Sequence, residues 1–280
     1  MQPLKIKKQS LMAILLGVSL LSFGAQAHRV WLKPNATVIS GADEWVTFDA
    51  AIANGIFNPD HHAYPLTRLQ AWAPDGGTVE LSNSAQLQYR SVFDLLLKQT
   101  GTYKVGNSSH SVRAFWQDAD GQRQFWPGRG KSGSLAELEQ ALPEQAENLR
   151  VIDSYFQLEV FVTAGAPSTT NVEAANQGLD INWQSHPNDL YTGEPIRLQV
   201  LMNGEAAVNA QVTVVQEGER YRDSGQATRM LSSDEQGQVQ LQLQQPGMYW
   251  LQVEYADERV DAPFTERRGS YVSVIEVLPL

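Results

Sequence analysis

The chain has 280 residues, 42% of them hydrophobic and 19% charged, with no cysteine and a formal net charge of −10. That length suits one large or two ordinary domains with real cores. The acidity argues against nucleic acid or an anionic membrane as a partner, and the lack of thiol excludes disulfides, thiolate metal sites and a cysteine nucleophile.

Residues 1–27 read as a secretory leader. Lys5, Lys7 and Lys8 form a basic start, Leu11 to Phe23 an apolar run, and Ala25-Gln26-Ala27 a small-residue exit. The run is too short for a membrane span and no later segment approaches one, so an exported, periplasmic protein without membrane insertion is expected. Removing the leader takes away three lysines and no acid, making the chain three units more negative. Cleavage after Ala27 makes His28 the first residue, and an N-terminal histidine chelates through its α-amine and ring Nδ1.

Mainly β structure is expected beyond His28. Trp45 to Ala50, Arg197 to Leu201, Val212 to Val215 and Val239 to Leu243 alternate or run in apolar and β-branched residues, separated by Gly, Asn, Asp and Pro clusters. Short strands with frequent turns fit two immunoglobulin-like β-sandwich domains rather than a doubly wound α/β fold. Residues 28–163 form the expected first domain, 164–177 a linker rich in Ala, Ser and Thr, and 178–280 the second domain. Thr100-Gly101-Thr102-Tyr103 and Gln245-Pro246-Gly247-Met248-Tyr249 each put a glycine two residues before a tyrosine, which marks Tyr103 and Tyr249 as structural corner residues. After Ser132-Gly133-Ser134, the spacing of Leu135, Leu138 and Leu142 predicts one short helix stopped near Pro143. Phe115-Trp116 and Phe125-Trp126 are read as caps of a core or an interface.

Only five histidines occur in the whole chain. His61 and His62 follow Asp60 in a loop bracketed by Pro59 and Pro65, where adjacent imidazoles face one ion if the backbone kinks and Asp60 ligates or orients one of them. His186, before a turn at Asn188-Asp189, is a further candidate ligand if the domain junction brings it near, and otherwise a packing residue. His110 lies within an alternating strand and is the weakest candidate. His28, Asp60, His61, His62 and His186 thus form the candidate set for a divalent transition metal: nickel, cobalt, copper or zinc. Met202, Met230 and Met248 are too scattered for a copper(I) site. No Gly-x-Ser-x-Gly elbow, His-Glu-x-x-His helix or phosphate-binding Gly-x-x-x-x-Gly-Lys loop is present, so no catalytic residue is assigned and an enzyme is not expected.

The start Ala27-His28-Arg29-Val30-Trp31-Leu32, the loop Phe57 to His62, Tyr89 to Asp94, His186 to Leu190 and Pro246 to Trp250 together resemble the domain of unknown function 4198 family. The resemblance covers essentially the whole mature chain. It implies a periplasmic component of cobalt- or nickel-type uptake built of two immunoglobulin-like domains, with His28, His61 and His62 as ligands. The leading expectation is an accessory or substrate-binding protein for nickel or cobalt, with copper or iron as further choices. Its partners are then a metal ion or metal complex and a membrane transporter. Two readings compete: a copper redox enzyme built on an N-terminal histidine brace, and an accessory sandwich contacting a membrane partner without metal.

Overall fold

The computed structural model of the protein describes residues 28–128, 130–221 and 228–280, and the expected leader lies outside them. The N-terminal half contributes β1 (Arg29–Pro34), β2 (Val38–Ile39), β3 (Glu44–Ala53), β4 (His62–Ala63), β5 (Gln70–Trp72) and β6 (Thr78–Val79). It continues with β7 (Ser82–Gln86), β8 (Ser91–Leu97), β9 (Gly101–Gln117), β10 (Arg123–Trp126), helix α1 (Leu135–Ala141) and β11 (Glu147–Ala164). The C-terminal half adds β12 (Leu179–Trp183), β13 (Pro195–Met202), β14 (Glu205–Ala206) and β15 (Gln211–Gln216). It ends with β16 (Thr228–Ser232), β17 (Gln238–Gln242), β18 (Gly247–Asp257) and β19 (Glu266–Val277).

Three sheets stack into two sandwiches with a layer in common. A 10-stranded sheet follows the order β16-β15-β18-β19-β11-β9-β5-β6, with β10 beside β9 and β2 beside β11. A 5-stranded sheet, β1-β3-β8-β7 with β4, covers one face, and a 4-stranded sheet, β12-β13-β14 with β17, covers the other. The first core lies between Trp31, Phe48, Phe93 and Leu95 on one side and Leu158, Val160, Trp250 and Val274 on the other. The second joins Ile181, Leu198 and Val200 to Phe161, Leu251, Tyr271 and Ile275.

Sequence pattern and layer agree. β8 alternates buried and half-buried residues along Ser91–Leu97, as a strand with one covered face does. Met248 to Leu251 and Val272 to Ile275 are buried without a break, because β18 and β19 feed neighbouring residues into opposite cores. Each apolar side chain among them contributes roughly 1.5–3 kcal/mol of burial. The halves are joined by the parallel pairing of β11 with β19, from Ile152 opposite Glu266 to Glu159 opposite Ser273. The expected linker follows β11 directly, and within it Asn171 is buried, its Nδ2 donating to the carbonyls of Ala73 and Thr102.

Both tyrosine corners form. Tyr103 Oη accepts from the Gln99 amide at 2.7 Å, and Tyr249 Oη donates to the Gln245 carbonyl at 2.7 Å, each four residues upstream. Helix α1 starts in a capping box between Ser134 and Glu137 and ends at Leu142, ahead of Pro143. Its one buried residue, Leu138, joins Val112, Ala114 and Val151 in a small third core that Trp116 and Trp126 cover, while Phe115 and Phe125 stay exposed.

Candidate functional site

The site grows from the end of β3. On one side β1 sets Val30 opposite Ile52, and on the other β4 sets His62 opposite the same residue. The connection from β3 to β4 doubles back through a bridge between Gly55 and Asn58, with Phe57 at a φ of 57°. Positive φ is unfavourable for an aromatic residue and is held by the surroundings: the Phe57 ring meets Trp31 edge-on at 5.6 Å and lies 5.1 Å from Lys33 Nζ. Asp60 Oδ1 closes the loop by accepting from the Asn54 amide at 2.8 Å. The turn therefore returns His61 toward the N-terminal end of β1.

Three imidazoles meet there. His28 and His61 stack with ring centroids 3.7 Å apart and planes 20° from parallel, and His61 and His62 lie 4.0 Å apart at 47°. Loss of hydration in this packing holds the His61 pKa below its ordinary 6.5, and the fields of His28 and His62 lower it further against the opposite pull of Asp60. The neutral imidazole, which is the form that ligates, is thereby favoured. As the rings stand they face one another, and among the described residues no group of three or more His, Asp or Glu side chains has its donor atoms gathered on one point. His28 and His62 are exposed, and rotation of exposed side chains takes picoseconds to nanoseconds.

The C-terminal half secures the site from below. Arg29 Nη1 donates to both carboxylate oxygens of Glu219 at 2.9 Å, and Glu219 Oε2 also accepts from the Ile56 amide at 3.4 Å. Lys33 pairs with Glu217, and Trp250 Nε1 donates to the Val30 carbonyl at 2.8 Å. Arg29 also lies over the Trp250 ring at 5.6 Å. Sequence reading missed Arg29 and Glu219, since 190 residues separate them and neither carries a motif.

The structure does not bring His186 into this group. Its Nδ1 accepts from the Asn188 amide at 3.1 Å, which leaves the proton on Nε2, 3.1 Å from the Ser168 carbonyl and 3.2 Å from Thr102 Oγ1. Both nitrogens are thus committed to packing loops together. Thr102 bonds Thr163, which sits beside Thr37, past the far end of β1 from His28. The length of β1 alone puts roughly 20 Å between the two places. His110, the weakest candidate, binds Asp153 Oδ1 through Nε2 at 2.5 Å and stacks on Tyr155. Asp60 commits one carboxylate oxygen to the Asn54 amide, and its charge acts on His61 by raising the pKa of that ring against the other effects.

Fold and site together define an immunoglobulin-like β-sandwich protein with an exposed histidine cluster at one sheet edge. The chain belongs to the family described as domain of unknown function (DUF4198), which matches residues 25–257. No curated protein matches it. Among solved structures it is similar to the D0-D1 domain of intimin, with 13% identity over 88% of this chain and 97% of that one at a TM-score of 0.21. The human OSCAR ligand-binding domain shares 14% identity over 89% of this chain and 99% of that one, with a TM-score of 0.20. A marsupial T cell receptor shares 12% over 90% and 74%, also at 0.20. Likeness this slight bears on neither function nor partners.

Proposed function

We propose that this protein binds a divalent transition metal of the nickel and cobalt class in the periplasm, as an accessory or substrate-binding component of metal uptake. The observation that carries the reading is the convergence of His28, His61 and His62, three of the five histidines of the chain, on one exposed spot. An imidazole-rich set with a carboxylate nearby suits borderline first-row ions. If export frees the amine of His28, that group adds a fourth nitrogen. Raw affinity in such a set follows the order cobalt, nickel, copper, so a nickel or cobalt cargo is chosen by geometry or by supply. The low proton affinity of His61 supports loading near neutral pH. A position at the sheet edge, with His28 and His62 exposed, suits transfer of cargo to a membrane transporter.

Mass spectrometry of the exported protein, followed by competitive titration with nickel, cobalt, copper and zinc, tests the reading. A chain beginning at His28 that binds one ion, lost in His28→Ala and in the His61→Ala/His62→Ala pair, is the expected result. A chain that binds none of the four ions overturns it.

A further inference from the structure

His62 belongs to two places at once. Besides meeting His61, it lines an open groove of about 690 Å3 together with Pro65, Arg68, Gln86, Leu87 and Gln88. That volume is far more than a bare ion needs, and falls in the range of about 300–1,000 Å3 typical of sites for small organic ligands. The chain carries 31 acids against 21 Lys and Arg; near the site Arg29 pairs with Glu219, Lys33 with Glu217 and Arg90 with Asp49, while Arg220 donates to Asn58 Oδ1. Arg68 has no carboxylate partner among the described residues, although its field reaches the Tyr64 hydroxyl.

Arg68 is also well placed. It ends the 3-10 turn Leu66–Arg68, whose amides close on Pro65 and Leu66 at 3.1 and 3.0 Å. Tyr64 anchors the turn from beneath: it is 3% exposed, its carbonyl accepts from Ser91 Oγ at 2.6 Å and its hydroxyl accepts from Asn107 Nδ2 at 3.1 Å. A guanidinium on a rigid turn presents a planar fork that matches a carboxylate in two parallel hydrogen bonds. Gln86 and Gln88, which also line the groove, carry amide donors, and the exposed Leu87 supplies an apolar surface for a carbon skeleton.

We infer that the cargo is not a bare ion but a divalent metal held in a small anionic carboxylate chelate, its metal facing the histidines and its carboxylate arms lying in the groove against Arg68. The inference rests on the histidine-cluster reading. Binding is ligand exchange alone: imidazole nitrogen replaces water on a metal whose chelate leaves positions open, and no redox or covalent step is needed. Arg68 offsets the repulsion that an anionic complex meets at an acidic protein.

Equilibrium dialysis of the full exported chain with radiolabelled nickel and citrate bearing a second label tests it, with nickel chloride alone run in parallel. The expected result is citrate retained one-to-one with nickel by the wild type. The citrate-to-nickel ratio should fall at least tenfold in Arg68→Ala and less in Arg68→Lys, which keeps the charge and loses the fork. Nickel retained without citrate, citrate retained without nickel, or an Arg68→Ala ratio equal to wild type overturns the inference while leaving the histidine reading intact. Retention of no nickel under either condition overturns both.

Discussion

His61 lies flat against His28, their ring centroids 3.7 Å apart, and close on its other side to His62 at 4.0 Å. Two imidazolium rings cannot share such a contact at low cost, so protonation of one opposes protonation of the next. His61 should therefore titrate below 6.5, and His28→Ala should move its midpoint upward by removing one of the fields that depress it. Nitrogen-detected NMR of the ring reports this directly. A His61 midpoint above 6.5 in the wild type would show that the stacked arrangement is not the one in solution. Metal affinity should fall with acid, since each ligating imidazole must be deprotonated.

Single alanine replacements at His28, His61 and His62 should each weaken nickel binding by about tenfold or more, because a missing ligand typically costs at least one such factor. Stability should change by no more than about 0.5 kcal/mol for these surface side chains. Isothermal titration beside urea unfolding separates the effects. Nickel affinity unchanged in all three variants counts against a metal role for the cluster.

Glu219 reaches Arg29 with both oxygens at 2.9 Å, and the side chains are only 27% and 20% exposed. Glu219→Gln should cost about 1 kcal/mol, after allowance for solvent screening. It should also loosen the start of β1, reducing nickel affinity severalfold through a less ordered His28. Hydrogen exchange at Arg29, Val30 and Trp31 should quicken by the same variant. Unaltered exchange there would mean that the pairing with β3 and the bond from Trp250 to Val30 order this strand without the Arg29–Glu219 pair.

His186→Ala offers the complementary control. It should leave nickel affinity within twofold, and cost about 1–2 kcal/mol by releasing its bonds to Asn188 and Ser168. Burial, against weaker opposing effects of Ser168 and Asp189, holds the His186 pKa below 6.5. In that case the unfolded chain takes up the proton first, so the stability from neutral His186 is complete above about pH 6.5 and is lost as acid is added. A thermal melt of His186→Ala that is as acid-sensitive as wild type at pH 5–7 would contradict this.

Glu159 works with the opposite sign. It is buried where β11, β12 and β19 meet, accepting from Tyr271 Oη at 2.7 Å and from Gln157 Nε2 at 3.0 Å. Burial first, and then the nearby Asp180, push its pKa from 4.5 up to about 7, against a smaller effect of Lys104. The folded state thus holds a proton that the unfolded chain has released. Stability from this group is greatest below pH 4.5 and declines as pH rises to about 7, by up to about 3 kcal/mol. Glu159→Gln, which keeps the shape and removes the charge, should be more stable than wild type at pH 8 and match it near pH 4.5. Parallel denaturation curves at both pH values decide it, and a wild-type advantage at pH 8 would show that the charged form is satisfied in place.

Local determinants were open to direct reading. The glycine two residues before Tyr103 and Tyr249 announces corners whose hydroxyls reach only four residues back. Ser134 and the leucines that follow specify a helix whose capping box lies within one turn. Asp60, His61 and His62 are adjacent, so a kinked loop between prolines already gathers them. In all of these the interacting groups are near in sequence, and local sterics and hydrogen bonding decide the outcome.

What the amino-acid order alone determined is a mainly β chain with these corners, this helix and a histidine-bearing loop. Only the tertiary structure decided which histidines meet. His28 joins His61 because β1 and β4 flank the same strand, and His186 is withdrawn because Asn188 and Ser168 take both of its nitrogens. The sharing of one sheet by both sandwiches was likewise hidden, since the parallel pairing of β11 with β19 joins segments more than 100 residues apart, and the largely apolar, wholly buried stretch Val272 to Ile275, interrupted only by Ser273, fits a buried strand of any sheet. Arg68 carried no signal in the sequence: its place beside His62 on the wall of one groove follows from tertiary packing alone.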